Sequence, residues 1–319
     1  MKKMFVGLCL LASTVAFGVE CGDNIVDQEV HLSENLDCSS YEGFSALTLR
    51  GSSKLFGHGY KVIAPNASSV IYAEGDEIKI VGLELQGHSD GRGIQAYNVK
   101  KLVTAYNKSE NMATGLDYYT EPDFACSGVV SYRNHLKNNN FAIRVSSPNC
   151  SWAPRIYRTD MSNSKVVAAN IKANNIVVSG KHYNKYSGSE SALNLRASNI
   201  ALVKHINLKD SGIVGGQVFI HQTKTAIIYN AAFGNVSHTA VDMYEVEKVR
   251  VYGAHFANSD IGLRIANSST STDFKARYAR SAGNASFGVL LTTQGDAEFT
   301  NIDIDHESNN FSDYVSLPY

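Results

Sequence analysis

The sequence predicts an all-β chain wound into a parallel β-helix, a solenoid of about twelve coils. Three observations carry this: a five-residue pattern recurs along the chain, its copies are almost evenly spaced, and turn-forming residues bound each one. The pattern is any residue, then small or aliphatic, apolar, variable, apolar, as in Ser45-Ala46-Leu47-Thr48-Leu49. Further copies start at Ser69, Arg92, Thr114, Phe141 and Lys165, then at Ser191, Gly216, Thr239, Ile261, Phe287 and Asp313. Successive starts lie 22 to 27 residues apart. That length holds three short strands and three turns, so each repeat is one coil whose strands pair with those of the next.

The chain opens with Met1, Lys2 and Lys3, followed by an apolar run from Met4 to Phe17 that closes on Ala16-Phe17-Gly18. This reads as a signal peptide over residues 1–18, cleaved after Gly18. The run is too short to cross a bilayer, and no later segment approaches the roughly 20 apolar residues that a membrane helix needs. Glu20 before Cys21 is a poor fit to lipidation, so we expect no membrane span.

Residues 19–319 then form a single β-helix domain, with 19–44 as its N-terminal cap and first turn. The whole chain carries 29 Lys and Arg against 30 Asp and Glu, and the leader removes two of the lysines. A balance this close to neutral provides no field for nucleic acid.

Within each copy, alternation with period two indicates a strand, and Asn, Gly and Ser at its ends indicate turns. A second strand per coil shows in Ile78-Lys79-Ile80, Ile176-Val177-Val178, Val249-Arg250-Val251 and Ile302-Asp303-Ile304. At about 4.8 Å per rung the rod is on the order of 60 Å long. Four cysteines follow the leader, an even number that favours disulfides. Cys126 and Cys150 are one coil apart, which suits a bond between stacked rungs. Cys21 with Cys38 follows by elimination.

The opening Cys21-Gly22-Asp23-x-Ile25, Leu32, Leu36 and Cys38, then Leu55-x-Gly57-x-Gly59, resembles the start of secreted right-handed parallel β-helix repeat proteins of the pectate-lyase-like superfamily. The resemblance covers residues 19 to 319. It implies a right-handed coil and a secreted, periplasmic or cell-surface location, with carbohydrate as the partner. It leaves the chemistry open, because the superfamily includes lyases, hydrolases, epimerases and proteins with no catalysis.

Inward side chains of a β-helix make core, so function belongs to outward positions aligned across rungs. The fourth and sixth positions of the copies are those columns. They group Gln95, Tyr97, Asp117, Tyr119 and Arg144 on rungs three to five. On rungs seven to ten they group Asn194, Arg196, His221, Asp242, Tyr244 and Arg264. In the sixth copy they hold Ala168 and Asn170.

Tyr rings stack on pyranose faces and Arg clamps carboxylates. Tyr97, Tyr119, Arg144, Asn194 and Asp242 are therefore substrate-binding candidates. Arg196 and Arg264 could offset a uronate carboxylate while His221 and Tyr244 exchange a proton beside it, as β-elimination or epimerisation requires. The alternative for Asp117 with Arg144, and for Asp242 with Arg264, is charge pairing between stacked strands.

No cofactor or metal is expected. Asp303, Asp305 and Glu307 share a strand face, but a solvated edge is the simpler reading. Seven Asn-x-Ser/Thr sequons, including Asn107 and Asn267, read as turn residues. The Tyr-rich stretch 182–186 could wall a groove or be an insertion between rungs. Motifs of the pectin-degrading hydrolases are incomplete: Ser259-Asp260 and Arg264 are present, the Asp-Asp pair is not, and Ala266 stands in place of the Lys. Two functions remain: a lyase or epimerase acting on an acidic polysaccharide, or a non-catalytic secreted or cell-surface binding or structural protein.

Overall fold

The computed structural model describes residues 18–179, 185–188, 191–208, 217–304, 310–311 and 314–318. Residues 1–17, the expected leader, lie outside this set. The chain is all-β, a parallel β-solenoid of about 10 turns. Among the described residues no helix is long and apolar enough to cross a membrane.

The repeat pattern sets one wall. Ser45–Arg50 pairs in parallel with Ser69–Val81, which pairs with Arg92–Ala105 and then Thr114–Tyr119. Their third and fifth positions, such as Leu47, Leu49, Ile71 and Ile94, are buried, because the inward half of a period-two strand has only the opposite walls to face. The fourth positions point outward, and the register runs Tyr72, Gln95, Asp117, Arg144 down one outward column.

Two copies sit in a different register from the one the pattern suggests. Asn170, not Ala168, stands opposite Arg144 and Asn194, and Lys172 stands opposite Ser146 and Arg196. The run Lys165-Val166-Val167-Ala168-Ala169 satisfies the apolar pattern at either of two positions two residues apart. A two-residue slip keeps every side chain on its face, so hydrophobicity does not detect it. At the last copy Val315, rather than Ser316, stands opposite Leu290. Asp313 itself lies outside the described residues.

Short strands form the second wall, where Lys54–Phe56, Gly128–Tyr132 and Arg155–Tyr157 stack with the later halves of the long strands. A seven-stranded ladder from Leu36–Asp37 to Lys185–Gly188 closes the first half of the rod. Corners inside the rod are satisfied by asparagine amides. Asn107 Oδ1 accepts from Leu83 N (3.0 Å), and its Nδ2 donates to Ile80 O (2.9 Å). Asn134 repeats this one turn on, with Oδ1 accepting from Asn107 N (2.9 Å). Buried backbone groups must be paired, and a stacked amide does this for two rungs at once. The sequon residues Asn107 and Asn267 are both buried in this way.

Disulfides join Cys21 to Cys38 (Cα–Cα 5.6 Å) and Cys126 to Cys150 (4.5 Å). The second pair sits directly in register between neighbouring turns.

Candidate functional site

On the first wall, rungs three to five place a carboxylate between two guanidinium groups. Asp117 is 7% exposed and accepts from Arg144 twice, Nε to Oδ1 at 2.9 Å and Nη2 to Oδ2 at 2.5 Å. Arg92 Nε donates to Oδ2 from the other side at 2.8 Å. The hydrogen bond to Asp117 raises the Arg144 pKa, and that outweighs the opposing effect of burial. Arg92 commits only Nε; its two terminal nitrogens have no partner among the described residues.

Beside this triad the rings of Tyr97 and Tyr119 stack 5.7 Å apart and 10° from parallel. Tyr119 is 43% exposed. The Tyr97 hydroxyl donates to Glu121, and this bond together with partial desolvation and the nearby negative charge pushes its pKa up to about 12. These groups border a recess of about 280 Å³ lined by Arg92, Gln95, Tyr97, Asp117, Tyr119 and Arg144. Arg92 also borders a larger hollow of about 530 Å³ toward Asn66, His88 and Asp90, so one side chain separates the two.

Further along the same wall Arg264 grips Asp242 in the same two-point way, at 2.9 and 2.5 Å. With Asn194, Phe219, His238 and Thr239 they line a recess of about 420 Å³. His221 lies at its edge: Nε2 donates to Asn194 Oδ1 (3.1 Å), and the ring stacks on Phe219 at 5.0 Å. Burial, with the charge of Arg196 adding to it, lowers the His221 pKa and so favours the neutral imidazole.

Tyr244 is directed elsewhere. Its hydroxyl is 2.9 Å from Ser268 Oγ, which in turn donates to Glu245 Oε1 at 2.6 Å. Glu245 also accepts from the backbone of Ser268 and from Ser269. Burial pushes its carboxyl up, but these donors and Thr270 outweigh it and hold the pKa at about 2.

The structure therefore brings Asn194, Asp242 and Arg264 to one recess with His221 beside it. Arg196 and Tyr244 are not among the residues lining it. Sequence reasoning missed Arg92, Phe219 and His238 as lining residues. Arg92 is the first residue of its copy and His238 precedes one, so neither falls in the columns that periodicity singles out. Phe219 is in the fourth column, but only the polar members of that column were grouped.

Asp260 accepts from Ser286, and His58 is bound to His31 (2.8 Å) within the capping turn. Asp303 is held by Arg277 at 2.9 Å, while Asp305 and Glu307 lie outside the described residues, as do the side chains of the 182–186 stretch. Among the described residues no three His, Cys, Asp or Glu side chains are grouped to hold a metal ion.

Fold and surface together define a parallel β-solenoid with polar recesses aligned along its first wall. Neither a known family, a curated protein nor a solved structure matches the chain.

Proposed function

We propose that the protein is an exported carbohydrate-binding β-helix of the pectate-lyase-like kind, which holds an acidic polysaccharide along its first wall. The observation that carries this is the stacked pair Tyr97 and Tyr119 beside the Arg92–Asp117–Arg144 triad. Two rings in a row give a pyranose an apolar platform. The unengaged nitrogens of Arg92 give a uronate carboxylate charge-assisted donors. Export is supported by the signal-like leader and by two disulfides, which persist in oxidising compartments.

Binding is favoured over turnover because the charged groups of the other recess are engaged with one another. Arg264 is paired with Asp242, and the Tyr244 hydroxyl is turned to Ser268. The test is affinity electrophoresis in gels containing alginate, pectate or glycosaminoglycan. Retardation by at least one acidic polymer is expected, weakened about tenfold in a Tyr97→Ala, Tyr119→Ala double variant. A folded protein that migrates freely in all of them refutes the proposal.

A second reading, lyase or epimerase action at the recess of Asn194, Asp242 and Arg264, is favoured by one feature: a neutral His221 beside a two-point arginine. A neutral imidazole is competent to accept a proton. Ultraviolet absorbance from unsaturated products, or NMR of the treated polymer, that disappears in His221→Phe would replace the binding reading with this one.

A further inference from the structure

Part of the second wall carries arginines that meet no acid among the described residues. In several turns the chain leaves the second strand through a corner residue whose backbone is left-handed. Gly82 (φ 72°), Asn230 (46°) and Gly253 (61°) occupy this corner cheaply. Bulkier residues also stand there: Tyr106 (57°), Arg133 (52°) and Arg158 (52°) in three consecutive turns, and His205 (52°) and Tyr278 (55°) further on. Their stacking is fixed by backbone bonds, Tyr106 N to Tyr132 O at 3.1 Å and Arg133 N to Tyr157 O at 3.0 Å. A large side chain in this conformation is disfavoured by about 1 kcal/mol relative to Gly.

The side chains build a platform. The Arg133 guanidinium carbon lies 5.2 Å from the Tyr132 ring centre and 5.5 Å from that of Tyr106, and Nη1 donates to the Tyr106 hydroxyl at 3.2 Å. One strand further along the same wall Arg155 lies 5.5 Å over the ring of Trp152, which is 48% exposed. Arg158 approaches the Tyr132 hydroxyl at 3.5 Å. None of these three arginines has a carboxylate within ion-pair distance among the described residues. Arg92, Arg144, Arg250, Arg264 and Arg277 all do.

We propose that this face, centred on Arg133, Arg155, Arg158 and Trp152, is a second binding site, and that it takes an anionic polysaccharide bearing carboxylate or sulfate groups. Guanidinium groups set beside rings, with no carboxylate partner among the described residues, have donors left for charge-assisted contact with an oxyanion. The exposed ring edges and the Trp152 face supply apolar contact for sugar rings. Arg133 stands one rung, about 4.8 Å, from the turn that carries both Arg155 and Arg158, so the patch offers several charges rather than one. The chain as a whole carries a formal net charge of −1, so attraction is confined to this patch and disfavours a nucleic acid, which needs a broad basic field. The site is separate from the first-wall recess and requires none of its residues.

Trp152 is the only tryptophan in the chain, which makes it a reporter placed inside the proposed site. Its fluorescence is to be titrated with oligogalacturonate, with a sulfated glycosaminoglycan, with neutral dextran and with duplex DNA. A saturable change is expected with at least one anionic glycan and not with dextran. It should weaken with added salt, as exposed charges are screened. An Arg133→Gln, Arg155→Gln, Arg158→Gln triple variant is expected to bind at least about tenfold more weakly. The Tyr97→Ala, Tyr119→Ala variant should leave the Trp152 response intact, which separates this site from the first wall. Should the triple Gln variant fail to fold, the triple Lys variant is read instead; it keeps the charge, loses the fork and should be weakened severalfold. Unchanged affinity in the folded variant, equal response to dextran, tighter binding of duplex DNA, or no response to either anionic glycan overturns the proposal.

Discussion

Arginine is used in two ways in this rod, paired with an acid or laid against a ring. On the first wall Arg144 and Arg264 meet Asp117 and Asp242 in matching geometry, Nε to Oδ1 at 2.9 Å and Nη2 to Oδ2 at 2.5 Å in both. On the second wall Arg155 has Val130 and Val177 as its neighbours in register, and its guanidinium rests on Trp152 instead. Residue type alone does not distinguish these roles. The reach of an acid does: Asp117 and Asp242 neutralise Arg144 and Arg264 within their column, Asp273 reaches Arg250 on the second wall from the neighbouring turn, and Arg155, flanked by aliphatic residues, is left to a ring and to solvent.

If that contrast holds, removing one acid on the first wall should affect stability more than removing a second-wall arginine that has no acid partner, such as Arg133. The largest effect is expected for Asp117→Asn. The carboxylate is nearly buried between Arg92 and Arg144, and its loss leaves two cations facing each other. We expect a loss of about 3 kcal/mol, reduced from the deeply buried case because both arginines are partly solvated. Denaturant titration measures it, and a change below about 1 kcal/mol would make the triad a surface ornament.

Next in size is Glu245→Gln at the corner after the first strand, where the carboxylate gathers donors from Ser268 and Ser269. We expect about 2 kcal/mol at neutral pH. Its folded pKa of about 2 lies below the ordinary 4.5, so the folded state favours the ionised form. That stabilisation is complete above the ordinary value and is lost as pH falls from there toward about 2. The gap between wild type and variant should therefore shrink in acid; a constant gap would place its origin in packing.

The same contrast explains what could be read from the chain. Period-two alternation exposed the first wall because each copy has two inward apolar positions flanking an outward one, and both arginine–aspartate pairs fell in one column. The second wall has strands as short as Arg155–Tyr157 and a corner whose meaning depends on backbone conformation. Only after the turns are aligned does Arg133 stand where other turns carry Gly82 or Gly253. Trp152 and Arg155 gave no periodic signal at all. The sixth copy shows the limit from the other side: Val166, Val167, Ala168 and Ala169 fit two registers equally well, and Asn170 took its column only through pairing with Arg144.

On the second wall, Arg133→Gln should change stability by no more than about 0.5 kcal/mol, because a partly exposed guanidinium over a ring contributes little to the fold. Thermal melts of the single variant beside Asp117→Asn compare the walls directly. Destabilisation as large as that of Asp117→Asn would mean that Arg133 braces the corner and is not held ready for a ligand.

The smallest expected effect is a pH dependence belonging to His221. Its folded pKa lies below the ordinary 6.5, chiefly through burial against Phe219 and secondarily through the charge of Arg196. As pH falls through 6.5 the unfolded chain takes up a proton before the folded one does, so stability declines on the acid side. His221→Phe should flatten that slope while leaving the second wall's Trp152 response unchanged. Substituting Arg196 by Gln should move the slope slightly toward higher pH, since one of the two influences disfavouring the imidazolium is gone. A wild-type melting temperature that stays level across this range would mean that the imidazole is solvated, and it would remove the basis for a neutral proton acceptor at the edge of that recess.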